Sequence, residues 1–126
     1  MVITEFKSFE DIKSQIKTKN SIAIISCLIC AKECKTGGKE AMENFAEKLE
    51  RNGFHVNEKI PVGAVCRFKS LNEIEINSDI LIILSCSAGA KNAKKAFPEK
   101  KILEALETIG IGGVDDDGKI FIVNKF

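Results

Sequence analysis

Three of the five cysteines fall in one short run, Cys27-Leu28-Ile29-Cys30-Ala31-Lys32-Glu33-Cys34, with the spacing C-x2-C-x3-C. Thiolate sulfur is a soft ligand, and two cysteines separated by two residues can reach one metal ion or two irons of one cluster. The third, four residues on, can follow from a loop or an opening helical turn. Two more thiols, Cys66 and Cys86, stand apart. Either one completes the four thiolates that an iron–sulfur cluster of the 4Fe–4S type, or a zinc site, takes. Zinc sites usually pair one C-x2-C with a second, and the second pair is missing here, whereas iron–sulfur clusters accept ligands scattered along a chain. The expected metal ligands are Cys27, Cys30, Cys34 and Cys86, with Cys66 as the alternative or fifth cofactor-binding thiol. Two other readings stay open: a zinc-binding structural or regulatory module, and a dithiol redox protein with Cys27 and Cys30 as attacking and resolving thiols. A lone buried cysteine is otherwise a small hydrophobe.

The neighbouring residues add less. Four thiolates around zinc or a 4Fe–4S core leave a charge of about −2, which Lys32, Lys35, Lys39, Arg67, Lys91 and Lys94 could offset, although loop lysines are ordinarily just solvated. Gly37-Gly38 opens a helix and is read as a turn rather than an anion site, because neither a P-loop nor a dinucleotide fingerprint is present. Ser85-Cys86-Ser87-Ala88-Gly89-Ala90 has small residues suited to a cluster-binding loop or to a tight strand-to-helix turn. His55, the only histidine, has no evident partner and reads as structural. No catalytic triad can be assembled. With Phe as the only aromatic type, flavin or base stacking has little to work with.

Composition bounds the rest. The chain of 126 residues has 44% hydrophobic and 29% charged residues, a size and balance suited to one domain with its own core. A net charge of +1 argues against a nucleic-acid partner. No apolar run approaches a membrane span, and Met1 to Lys7 carries no signal-peptide core, so a cytoplasmic location is expected. There the thiols stay reduced, and a disulfide framework is not expected.

The elements that must position the thiols follow from periodicity. Ser8 and Asp11 suggest a capping box for a helix carrying Phe9, Ile12 and Ile16 and ending at Lys17 to Asn20. Ser21 to Ser26 is an isoleucine-rich buried strand running into Cys27. Residues 39–52 place Met42, Phe45, Ala46 and Leu49 on one helical face, closed by Asn52-Gly53. Phe54 to Ile60 is a more polar strand nearer the sheet edge, and a loop from Pro61 leads to Cys66. Leu71 to Ile76 is a short helix or turn. Asp79 to Ser85 is the most apolar strand and ends at Cys86. Residues 88–96 are a short helix, Lys101 to Leu106 a strand or helical turn, and Lys119 to Val123 a last strand after the Asp115–Gly118 turn. Strands alternating with helices predict an α/β fold, a single doubly wound, mainly parallel sheet of flavodoxin-like or Rossmann-like type. In such a sheet ligands bind beyond the carboxyl ends of the strands, where Cys27, Cys66 and Cys86 would converge.

At these residues the chain resembles a known family. Ile25 to Gly38, with its strand, C-x2-C-x3-C and Gly-Gly, looks like the signature of the small iron–sulfur subunit of anaerobe methylenetetrahydrofolate reductases, the methylenetetrahydrofolate reductase C-terminal family. Ala64-Val65-Cys66-Arg67 and Leu84 to Ala90 extend the likeness, which covers residues 2–125. The resemblance implies an electron-transfer subunit of one-carbon metabolism beside a flavin-bearing catalytic subunit, or beside another redox protein, and makes all five cysteines candidate ligands. Longer members continue into a cysteine-rich, ferredoxin-like tail; this sequence stops at Phe126, so the second centre is expected to be missing.

Overall fold

A computed structural model describes residues 1–126, the Phe68 side chain excepted. Its elements run β1 (Val2–Phe6), α1 (Phe9–Lys13), β2 (Ser21–Cys27), α2 (Cys30–Glu33), α3 (Gly38–Arg51), β3 (His55–Val62), a 3-10 turn (Phe68–Ser70), β4 (Ile80–Leu84), α4 (Ser87–Ala96), β5 (Lys101–Glu104), β6 (Leu106–Val114) and β7 (Ile120–Lys125). The isoleucine runs form the centre. β2 and β4 lie side by side in parallel, flanked by β3 and β5, in the order β3-β2-β4-β5. Ile22, Ile24, Ile25, Leu81, Ile82, Ile83 and Leu84 are completely buried, as strands covered on both faces require. β3 is an edge strand, in keeping with its mixed sequence.

The expectation of a single doubly wound sheet is overturned. A second, antiparallel sheet of three strands, β1-β6-β7, stands beside the parallel one. The two join at Ala105, which ends β5's run: its N–H donates to Ile83 O, its carbonyl accepts from Lys7 N–H, and β6 starts at the next residue. The antiparallel sheet therefore grows from the carboxyl end of the parallel sheet, β1 pairing with β6 from Phe6–Leu106 outward to Val2–Ile111.

α1 is shorter than its apolar pattern suggests. Ser8 makes no side-chain capping bond, and the Asp11 carbonyl, which a continuing helix would bond to the Gln15 N–H, instead accepts from Ser14 Oγ and Gln15 Nε2. The Gln15 N–H turns to Ile12 O, and the chain leaves the helix. Ile12 and Ile16 are nonetheless buried in the core. α3 has the predicted extent, and its apolar face is buried at Met42, Phe45, Ala46 and Leu49. Lys59 Nζ donates to Glu43 Oε2 at 2.8 Å, tying β3 to α3 and holding this lysine above its ordinary pKa. Leu71 to Ile76 resolves as a turn, and Lys101–Glu104 as a strand.

Candidate metal centre

The ladder register aligns the strand ends that carry the cysteines. Cys27, the last residue of β2, pairs with Val62, the last of β3, while Ser26 pairs with Leu84, the last of β4. Cys86 lies two residues beyond β4 as the N-cap of α4, and Cys66 four residues beyond β3. Cys30 begins α2 and Cys34 caps its C-terminus one turn later, with the Cys34 N–H bonded to Cys30 O, so the two lie on the same helix face. Cys27 thus sits at, and the other four beyond, the carboxyl edge of the parallel sheet, where ligands of such sheets bind.

Their surroundings differ. Cys27 and Cys34 are buried, Cys30 and Cys86 half-buried, Cys66 exposed, and none forms a disulfide. Cys27 belongs to the hydrophobic core cluster. The Cys34 thiol reaches Val2 O at 3.7 Å. Among the described residues, no three His, Cys, Asp or Glu side chains are grouped closely enough to hold one metal ion. The thiols share an edge without meeting at a point. In donor type and backbone placement they fit a thiolate-bound group; gathering four sulfurs requires side-chain rotation and movement in the loops that carry them. Val65, completely buried and with its carbonyl accepting from Asn92 Nδ2 at 2.9 Å, anchors the chain one residue before Cys66.

Close backbone packing seats the cysteine segments. A Cβ on Gly37 would lie 2.6 Å from Ala31 Cβ and 2.8 Å from Cys27 O, so the loop after α2 folds directly onto the end of β2. Gly38 has φ +81 and its carbonyl accepts from the buried Ser26 Oγ at 3.0 Å. On the other side, a Cβ on Gly89 would run into Ser85 Oγ and lie 3.1 Å from Val65 Cβ, which brings α4, the Cys86 turn and the Cys66 loop together. Gly37-Gly38 and Gly89 are therefore packing requirements of this edge.

α2 ends in a Schellman motif: the Thr36 N–H donates to Ala31 O at 2.9 Å and the Lys35 N–H to Lys32 O at 3.0 Å. Lys35 occupies the left-handed position, φ 61, that glycine normally takes. Lys35→Gly is expected to stabilise the fold by about 0.5–1 kcal/mol, the left-handed strain relieved less the extra backbone entropy glycine loses on folding. A higher urea midpoint bears this out; an unchanged or lower one means the lysine side chain contributes more than its strain costs.

Of the cations expected near the thiols, Lys32, Lys35 and Lys39 line a cleft with Gly37, Gly38 and the carboxylate-bearing Glu40. Lys94 is engaged elsewhere, 3.0 Å from Glu104. His55 is exposed at the start of β3. The wall beside the site, β1 and β6, is not among the elements expected from the sequence. β1 packs against α2, and the buried Thr4 and Thr36 hydroxyls meet at 2.7 Å. On the far side the Ser87 N–H, next to Cys86, donates to Thr108 Oγ1 of β6 at 3.0 Å. The β-branched Val2-Ile3-Thr4 followed by Phe6 was the available signal for β1. No family model matches the chain, and no curated protein or solved structure matches it either.

Proposed function

We propose that this chain is an iron–sulfur protein of the cytoplasm, a non-catalytic electron-transfer or accessory subunit for a partner oxidoreductase. Methylenetetrahydrofolate reductase, named by the sequence resemblance, is the partner of first choice. The observation that supports the reading is the placement of five cysteines free of disulfides, on three strand ends and one helical turn, along one sheet edge. Cys27, Cys30, Cys34 and Cys86 would hold the cluster, and Cys66, the most exposed, would be the spare or exchanging thiol. A cluster held there supplies one-electron transfer. The chain's own work is to carry the thiols on the strand ends and the segments that follow them, with Gly37 allowing α2 to close on β2 and Gly89 allowing α4 to close on the Cys66 loop. The half-buried Cys30 and Cys86 leave a route for electrons to a docked redox protein.

Protein purified without oxygen is expected to be brown and to carry about four iron and four sulfide per chain. Cys27→Ser, Cys30→Ser, Cys34→Ser and Cys86→Ser should each lower the iron retained several-fold, while Cys66→Ser keeps it. Zinc at about one per chain without sulfide rejects electron transfer and leaves a zinc-binding module. A metal-free chain whose Cys27 and Cys30 cycle between dithiol and disulfide rejects both.

A further inference from the structure

We propose that β7 is a dimer interface, on which two copies of the chain pair antiparallel to make one continuous six-stranded sheet from the two three-stranded ones. The antiparallel sheet ends at β7, so one side of this strand has no partner among the described residues. All six of its residues are exposed and the first four are Ile120-Phe121-Ile122-Val123. Val123 is 69% exposed, Phe121 47%, and Phe126, just beyond the strand, 70%. Ile111 and Val114 of β6 are also exposed, so both faces of this outer ribbon carry uncovered apolar side chains beside the unpaired edge.

The molecule blunts its other edges. β3 carries Glu58, Lys59 and Pro61, β5 is only four residues long with Lys101 and Glu104, and β1 is packed against α2. Charges, proline, shortness and cover are the ordinary protections of an edge strand. β7 has one bulge, at Val123, and no charge or proline between Ile120 and Val123.

Charge selects a second copy as the occupant. Asp115, Asp116, Asp117 and Lys119 lie before the strand, three acids against one base, and Lys125 at its other end. Antiparallel pairing centred on Phe121 sets each copy's Asp116–Asp117 turn beside the other's Lys125 and Ile120 beside Ile122, so each attraction occurs twice about the two-fold axis. Parallel alignment would instead place like charges together. The net charge of +1 opposes association only weakly.

Sedimentation equilibrium of the full chain under reducing, oxygen-free conditions tests this. The expected result is a concentration-dependent species of twice the 13.8 kDa chain mass. Val123→Lys, at an exposed position with no residue opposite it in β6, should give the single-chain mass with an unchanged far-ultraviolet circular dichroism spectrum. Lys125→Asp should raise the dissociation constant several-fold, and adding Asp117→Lys should restore it. A single-chain mass at every concentration, or a dimer indifferent to Val123→Lys, overturns the interface. A double charge variant no better than Lys125→Asp alone overturns the antiparallel pairing.

Discussion

Gly37→Ala is expected to lower the stability of the domain by about 1–3 kcal/mol, the usual cost of forcing a methyl group into a closely packed site. The backbone conformation is not the obstacle, since φ −135 and ψ −163 suit any residue. The obstacle is space: the new Cβ would sit 2.6 Å from Ala31 Cβ and 2.8 Å from the Cys27 carbonyl. Neither neighbour is the free end of a flexible side chain, so α2 has to move away from β2. That movement should expose the buried Cys27 and Cys34, and reaction with a thiol reagent should accelerate together with the fall in the urea midpoint. Wild-type stability and wild-type thiol protection in the variant would mean that the loop after α2 does not hold these cysteines in place.

Ile82→Ala is expected to be more damaging, at about 2–5 kcal/mol. Ile82 has no exposed surface and pairs with Ile24 of β2 on one side and Leu103 of β5 on the other. Removing most of its side chain leaves a cavity that neither strand can close without breaking its ladder. Stabilities of small domains are about 5–15 kcal/mol, so one such change removes a large part of the total. Ile111→Ala, at a residue 45% exposed on β6, is the comparison; in a dilute, single-chain sample it should change stability by no more than about 0.5 kcal/mol. Equal losses at the two positions would contradict the assignment of the core to the parallel sheet.

The parallel sheet was legible because its physics is local. Ser21 to Cys27 and Ile80 to Leu84 are too short and too rich in isoleucine to be anything but buried strands, and α3 carries its apolar face at helical spacing. The position of the thiols at the carboxyl edge followed directly from those two strand ends. Of the antiparallel sheet only β7 was legible, as the strand expected over Lys119 to Val123; β1 and β6 were not. Gly110, Gly112 and Gly113 lower the strand propensity of β6, yet they are there for close approach: a Cβ on Gly112 would enter the Phe121 carbonyl and one on Gly110 would lie 2.5 Å from Asn124 O. That requirement exists only once β7 is in place. β1 has the β-branched pattern of a strand, but its partner lies about a hundred residues away, so the pairing that makes it one is not local. The side-chain grouping of the cysteines is a further step beyond periodicity, because sharing an edge depends on strand order while sharing a point depends on loop conformation.

The pairing of β1 with β6 also bears on the order in which the domain is completed. The amino group of Met1 donates to Gly112 O at 2.6 Å, so Met1 is not held until Gly112, 111 residues further along, has been made. By the time Glu104 leaves the ribosome, all five cysteines and all four parallel strands have been synthesised, while β1 still has nothing to pair with. Domains on the ribosome acquire structure as their segments emerge, and here β1, which packs against Cys34, is made before the parallel sheet but gains its partner β6 only after it. During synthesis the thiol-bearing edge therefore has an interval in which the parallel sheet can stand and its β1 wall cannot.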